Sequence, residues 1–255
     1  MSGALAAEWI KLRSVRSTYY LLAVVAATPL VAALVAWNGT HVWDAGTAQQ
    51  RAVLEQAQPL EAVFLPYVQL CAAVLGAMAI TSEYATGMIC SSLTAVPSRR
   101  TALAAKAAAV AGPVLAAGLA EVSATHGIAR LVVGDRPMFD YDAPFLDSVP
   151  LLLSLGLSVG AMALVGLGVG AALRSTAGAI VTVCGLLFML PIVVAFLPSP
   201  WDGRLAGVLL PYLAMQLAGA AEDPLLPPMG AFAVMAAYVV AALGAGAVLL
   251  VRRDA

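Results

Sequence analysis

The chain has 255 residues, 62% of them hydrophobic and 11% charged, with a formal net charge of -1 and a mean hydropathy of +0.94. Soluble domains hold about 45–50% apolar and about 25% charged residues, so a water-soluble fold of this length would lack the polar side chains to cover its surface. The near-zero total charge says little by itself; in such a chain the placement of charges carries the information.

Residues 4–16 form a short amphipathic stretch. On a helix Leu5, Trp9 and Leu12 share one stripe, while Glu8, Lys11 and Arg13 point elsewhere. Tryptophan favours headgroup depth and basic residues favour an anionic leaflet, so a surface-lying helix is predicted here. The following apolar run, Tyr19 to Trp37, exceeds the roughly 7–15 residues of a signal-peptide core and reads as a retained first span.

A hydrocarbon core of about 30 Å takes roughly 20 helical residues. Spans are predicted at 18–37, 61–82, 102–127, 150–172, 177–198 and 229–251, each helical because lipid offers no partner to a bare backbone. Pro29, Pro66, Pro113 and Pro191 fall inside them, as kinks whose freed carbonyls neighbouring helices can satisfy.

Between spans two and three lies EYATGMICSSLTAVPSRR, residues 83–100. Ile89, Leu93 and Val96 fall at i, i+4 and i+7, giving a brief helix one apolar face. Gly87 and Pro97 bound it, and Arg99 and Arg100 anchor the next span. In span three, Lys106 is placed to snorkel to the headgroups. Glu121 and His126 are placed near the other edge, Glu121 as a solvated helix end or the lining of a vestibule. The acidic loop 135–147 reads as exposed.

Span four contains Gly156, Gly160, Gly166 and Gly170, at spacings that let helices approach closely. Gly156 to Gly160 also spells G-x-S-x-G around Ser158, the pattern of a serine nucleophile. That chemistry needs a base within hydrogen-bond reach, and the two histidines, His41 and His126, are assigned to loop and helix-end positions away from it. Residues 201–228, broken by Pro211, read as a pair of short interfacial helices rather than a seventh span. Cys71, Cys90 and Cys184 are too widely spaced for a disulfide framework or a metal site. No phosphate-binding loop is present, the only lysines being Lys11 and Lys106, preceded by Ile10 and Ala105.

With the N-terminus cytoplasmic, nine of the thirteen Lys and Arg residues fall inside and four outside, which sets the orientation. The fold predicted is all-α integral membrane: a six-helix bundle filling residues 1–255 as one domain, with an N-terminal interfacial helix, a cytoplasmic loop helix and short outer helices.

The N-terminal AEWIKLRSVRSTYY, the SEYATGMI…L…VPSRR loop and the LPYLAMQLAGA stretch before the last span resemble permease subunits of ABC-2 type bacterial exporters. The resemblance implies a partner ATPase on a separate chain, which would hold ATP and magnesium, leaving no cofactor on this one. It also implies a homodimer or a heterodimer with a similar permease in the bacterial cytoplasmic membrane, and no nucleic-acid partner. By position it makes Glu83, Tyr84, Gly87, Ile89, Leu93, Pro97 and Arg99 the ATPase-coupling segment. Basic residues common in the family are replaced here by Ala85 and Cys90. Substrates are expected to be hydrophobic or amphiphilic: drugs, antibiotics or lipids. An intramembrane serine hydrolase of rhomboid-like type and a membrane assembly or anchoring protein are the alternative readings.

Overall fold

The computed structural model describes residues 2–88, 99–141, 144–221 and 223–252, with side chains from Ala6 onward in the first helix and from Thr101 onward in the helix that opens at Arg99. All regular elements among the described residues are helical. Helix α1, Ser2–Ser14, breaks at an extended Val15 before α2, Arg16–Ala45. Then follow α3, Ala48–Glu55, α4, Leu60–Thr86, α5, Arg99–Val133, and α6, Phe145–Leu173. Helix α7 runs Thr176–Ala195, and α8, Trp201–Ala206, α9, Leu210–Ala218, and α10, Pro228–Arg252, complete the chain. Six of these, α2, α4, α5, α6, α7 and α10, are long and apolar enough to cross a membrane.

Glycine explains why α6 is the axis of the bundle. Its span is 78% buried, against 17% for α2 and α10. Where lipid tails are as apolar as leucine, helices associate by close backbone approach, and small residues permit it. A Cβ added at Gly166 would collide with the Ala73 carbonyl of α4, and one at Gly170 would meet Ala77 at 2.9 Å. On a second face Gly156 receives Leu119, and Gly160 lies against Leu115 of α5. On a third, Gly168 abuts Ala242 of α10. A leucine at any of the tightest positions would push a neighbouring helix away rather than displace one flexible side chain.

Two other features follow from local chemistry. Helix α7 widens to a π turn over Gly185–Met189, just before Pro191, whose ring and missing N–H do not fit an α ladder. Helix α3 begins with a capping box in which Thr47 and Gln50 bond each other's backbone amides. That T-x-x-Q signal was present in the sequence although no element was predicted there.

Leu250 clusters with Ile80 and Leu103, so the C-terminal helix finishes beside the end of α4 and the start of α5, where α1 also docks. This is called the near end; the α3–α4 and α5–α6 connections lie at the far end.

Candidate functional site

The densest chemistry lies at the near end, where α4 and α5 flank residues 89–98. Lys106 of α5 is 3% exposed and Glu83 of α4 is 2% exposed. The Lys106 ammonium donates to Glu83 Oε1 at 2.7 Å, to Glu8 Oε2 at 2.6 Å and to the Ala79 carbonyl at 3.2 Å. Lys11 donates to Glu8 Oε1 at 2.8 Å and to the same Glu83 Oε1 at 2.7 Å. Two ammonium groups and two carboxylates from three helices thus form one neutral cluster. An unpaired charge buried here would be costly, and the mutual pairing offsets that cost. Burial by itself would lower the Lys11 pKa, but the hydrogen bonds to Glu8 and Glu83 outweigh it and the net shift is upward.

This arrangement corrects two expectations. Lys106 does not reach toward headgroups; a carboxylate at its own depth on the next helix is the nearer partner. Nor do Glu8 and Lys11 point away from the whole apolar stripe of α1: they face the bundle, as does Leu12, packed on the core. Trp9, 42% exposed, and Ile10, 67% exposed, face outward.

Around the cluster, further contacts tie the same turn of α4 to its neighbours. The Arg174 guanidinium, at the end of α6, lies 5.0 Å over the Tyr84 ring, a cation–π contact. Thr176 of α7 donates to Thr81 at 2.7 Å. Gly87 then ends α4 in the left-handed region at φ 71°, a position that suits glycine. Ile89, Leu93 and Pro97 lie outside the described residues; α5 begins at Arg99.

The far end has its own buried group. His126 Nδ1 of α5 lies 2.7 Å from Glu61 Oε1 of α4. The Tyr141 hydroxyl donates to Glu61 Oε2 at 2.6 Å and accepts from the Leu60 amide at 2.9 Å. Burial, followed by the Glu61 charge, pushes the Tyr141 pKa up. His126 therefore forms part of a helix-to-helix tie.

These two groups act as a caliper. Glu61 and Glu83 are about 33 Å apart along α4, and Lys106 and His126 about 30 Å apart along α5. Both distances match the thickness of a hydrocarbon core, about 30 Å, so the charges of the bundle gather at its two faces. Glu121 lies about 7.5 Å inside the far group along α5. It is 6% exposed and is hydrogen-bonded to Thr28 at 2.7 Å and to Thr125 at 2.9 Å. It is a buried, hydrogen-bonded carboxyl group and not a solvated helix end.

Ser158 accepts from Gln69 at 3.0 Å and donates to the Leu155 carbonyl at 2.6 Å. Gln69 is about 12 Å further along α4 than Glu61, so Ser158 sits well below the level of His126. His41 is exposed on α2 against Trp37. The serine is joined to an amide on the neighbouring helix, and neither histidine reaches its level.

No protein-family model matches the chain, and no curated protein matches it.

Proposed function

We propose that this chain is the membrane-spanning subunit of an ABC-2 type exporter in a bacterial cytoplasmic membrane, with the near end and both termini cytoplasmic. ATP is hydrolysed on a separate subunit, and two permease chains, identical or similar, face each other to enclose the path. The cargo is a hydrophobic or amphiphilic molecule such as a drug, antibiotic or lipid. The chain itself carries out no covalent chemistry.

One observation carries this reading. The two helix ends that flank residues 89–98 are locked to each other and to α1 by Glu8, Lys11, Glu83 and Lys106. A push on that loop is therefore delivered to α4 and α5 as one body, which is what a lever between an ATPase and a membrane bundle requires. Glu83 is buried, so its part is to transmit the push from behind the loop. Direct contact with the ATPase falls to Ile89, Leu93 and the turn at Gly87. Such a lever shifts the membrane equilibrium only if the ATPase grips it differently in its two nucleotide states.

The test is capture of the tagged chain in mild detergent, with identification of a bound ATPase, followed by transport measurements. Gly87→Pro and Leu93→Asp are expected to leave membrane insertion intact while separating ATP hydrolysis from transport. Unchanged transport in both variants, or labelling that puts Arg99 on the cell exterior, would overturn the proposal.

A further inference from the structure

Pro29 lies inside α2 and has no N–H, so it cannot bond the Val25 carbonyl one turn back. The Thr28 hydroxyl takes that place, donating to the Val25 carbonyl at 2.6 Å. The same hydroxyl oxygen lies 2.7 Å from Glu121 Oε1 of α5, and Oε1 lies 2.9 Å from the Thr125 hydroxyl. Val25, Thr28, Glu121 and Thr125 are thus joined through three oxygen–oxygen contacts, each of hydrogen-bond length. The two threonine hydroxyls bring one proton each. The chain of contacts is one proton short.

With Glu121 ionised, Thr28 can donate to Glu121 or to Val25 but not to both, and one short contact sets lone pair against lone pair. A proton on Glu121 Oε1 completes the set. Glu121 then donates to Thr28, Thr28 donates to Val25, and Thr125 donates to Glu121. Separations of 2.6–2.7 Å are those of oxygens that share a proton, and oxygens packed round a metal cation stand further apart. We infer that Glu121 is a proton-binding site, a neutral carboxylic acid whose proton joins α5 to the proline break of α2.

The surroundings fit a neutral acid. Glu121 lies about 7.5 Å inside the far group, where an ion without a partner is costly, and among the described residues it makes no ion pair. Helix α2 carries no titratable side chain between Tyr20 and His41, and α6 none between Asp147 and Arg174. Helix α10 offers only Tyr238 before Arg252, α1 meets α5 at the near end, and α5 itself adds His126 and Arg130. Helix α4 presents Glu61, Tyr67 and Cys71 in its outer half. Of these it is Glu61, tied to His126 and Tyr141, whose charge reaches Glu121, and that charge has the same sign. When the proton leaves, the Thr28 proton must abandon Val25 or leave two oxygens opposed, and hydrocarbon holds no water to relieve either. Release of the proton therefore loosens α2 from α5. The site depends on the chain spanning a membrane and not on what energises it.

The test uses the purified full-length chain in liposomes without any ATPase, so its outcome is separate from that of the exporter proposal. Infrared difference spectra of the wild type against Glu121→Gln, at neutral pH, read the carbonyl stretch of a protonated carboxyl, which stands apart from the bands of an ionised one. One such band is expected in the wild type and is lost in Glu121→Gln. It should persist when sodium replaces potassium in the buffer. Thr28→Val removes the acceptor of the proton and should move the band to higher frequency, whereas Thr28→Ser should leave it in place. In detergent, Glu121→Gln should keep the unfolding midpoint, because an amide N–H can donate to Thr28 as the acid does, and Glu121→Leu should lower it. Absence of the band, its loss in sodium, a band that Thr28→Val does not move, or equal destabilisation by the two Glu121 variants would overturn the site.

Discussion

The two buried polar groups sit at opposite faces of the same pair of helices, α4 and α5, yet they are made differently. At the near end, four formal charges on three helices share every strong contact, and two of those charges come from α1. At the far end a single carboxylate, Glu61, receives an imidazole and a phenol, the phenol from the 134–144 connection. The near joint loses a whole charge partner when any member is removed, whereas the far joint loses mainly a hydrogen bond. A buried ion left alone costs far more than a neutral donor left alone. The near end is thus built as a rigid block and the far end as a tie that opens at lower cost.

The sharpest way to break this contrast is to remove Lys106. Lys106→Met leaves Glu8 and Glu83 sharing only Lys11, and a loss of about 3–5 kcal/mol is expected, read as denaturant unfolding in detergent micelles. Replacing Glu83 by Met as well should recover most of that loss, because the unpaired charge goes with it. Wild-type stability in the single variant would show that the near cluster is not a block.

At the far end, Glu61→Gln should cost less, about 2 kcal/mol, since the amide keeps one acceptor for two donors. If it costs more than Lys106→Met in the same assay, the ranking of the two joints is reversed. Tyr141→Phe removes two hydrogen bonds without removing a formal charge, and about 1–2 kcal/mol is expected.

The same tyrosine sets a pH dependence. Its folded pKa is raised above the ordinary 10.0, so its contribution is complete below about pH 10 and is lost as the pH climbs beyond that toward the folded value. Unfolding midpoints measured between about pH 8 and 11 should fall at the alkaline end, and Tyr141→Phe should flatten the part due to Tyr141. A remaining decline belongs to Lys11, whose raised pKa acts with the same sign. The smallest effect is at Asp44, paired with Arg136 at 2.8–2.9 Å at the surface of the protein. Asp44→Asn should leave the unfolding midpoint where it is, as solvent screens such pairs.

Much of the architecture is written in one dimension. A run of about 20 apolar residues spans a bilayer whatever surrounds it, which is why all six crossings are readable from hydropathy alone. The break at Val15 and the two short helices after Trp201 are signalled locally, by a change of pattern and by Pro211. The helices overrun the predicted spans, α2 to Ala45 and α5 to Val133, because an α ladder continues past the lipid boundary until a turn residue stops it.

The partners of the buried charges are a different matter. Glu8 and Lys106 are 98 positions apart, and Glu61 and Tyr141 are 80 apart, with no spacing rule to connect them. Lys106 alone suggests snorkelling, and Glu121 alone suggests a wet helix end. Composition and periodicity therefore determined that this is a six-helix membrane bundle, since the hydrophobic effect acts on each segment separately. Which charges meet, which way α1 turns its face, and that Ser158 joins Gln69 rather than a histidine were decided only by tertiary packing. The reason is that a hydrogen bond or ion pair depends on a few tenths of an ångström between helices, and the close approach around α6 sets that distance.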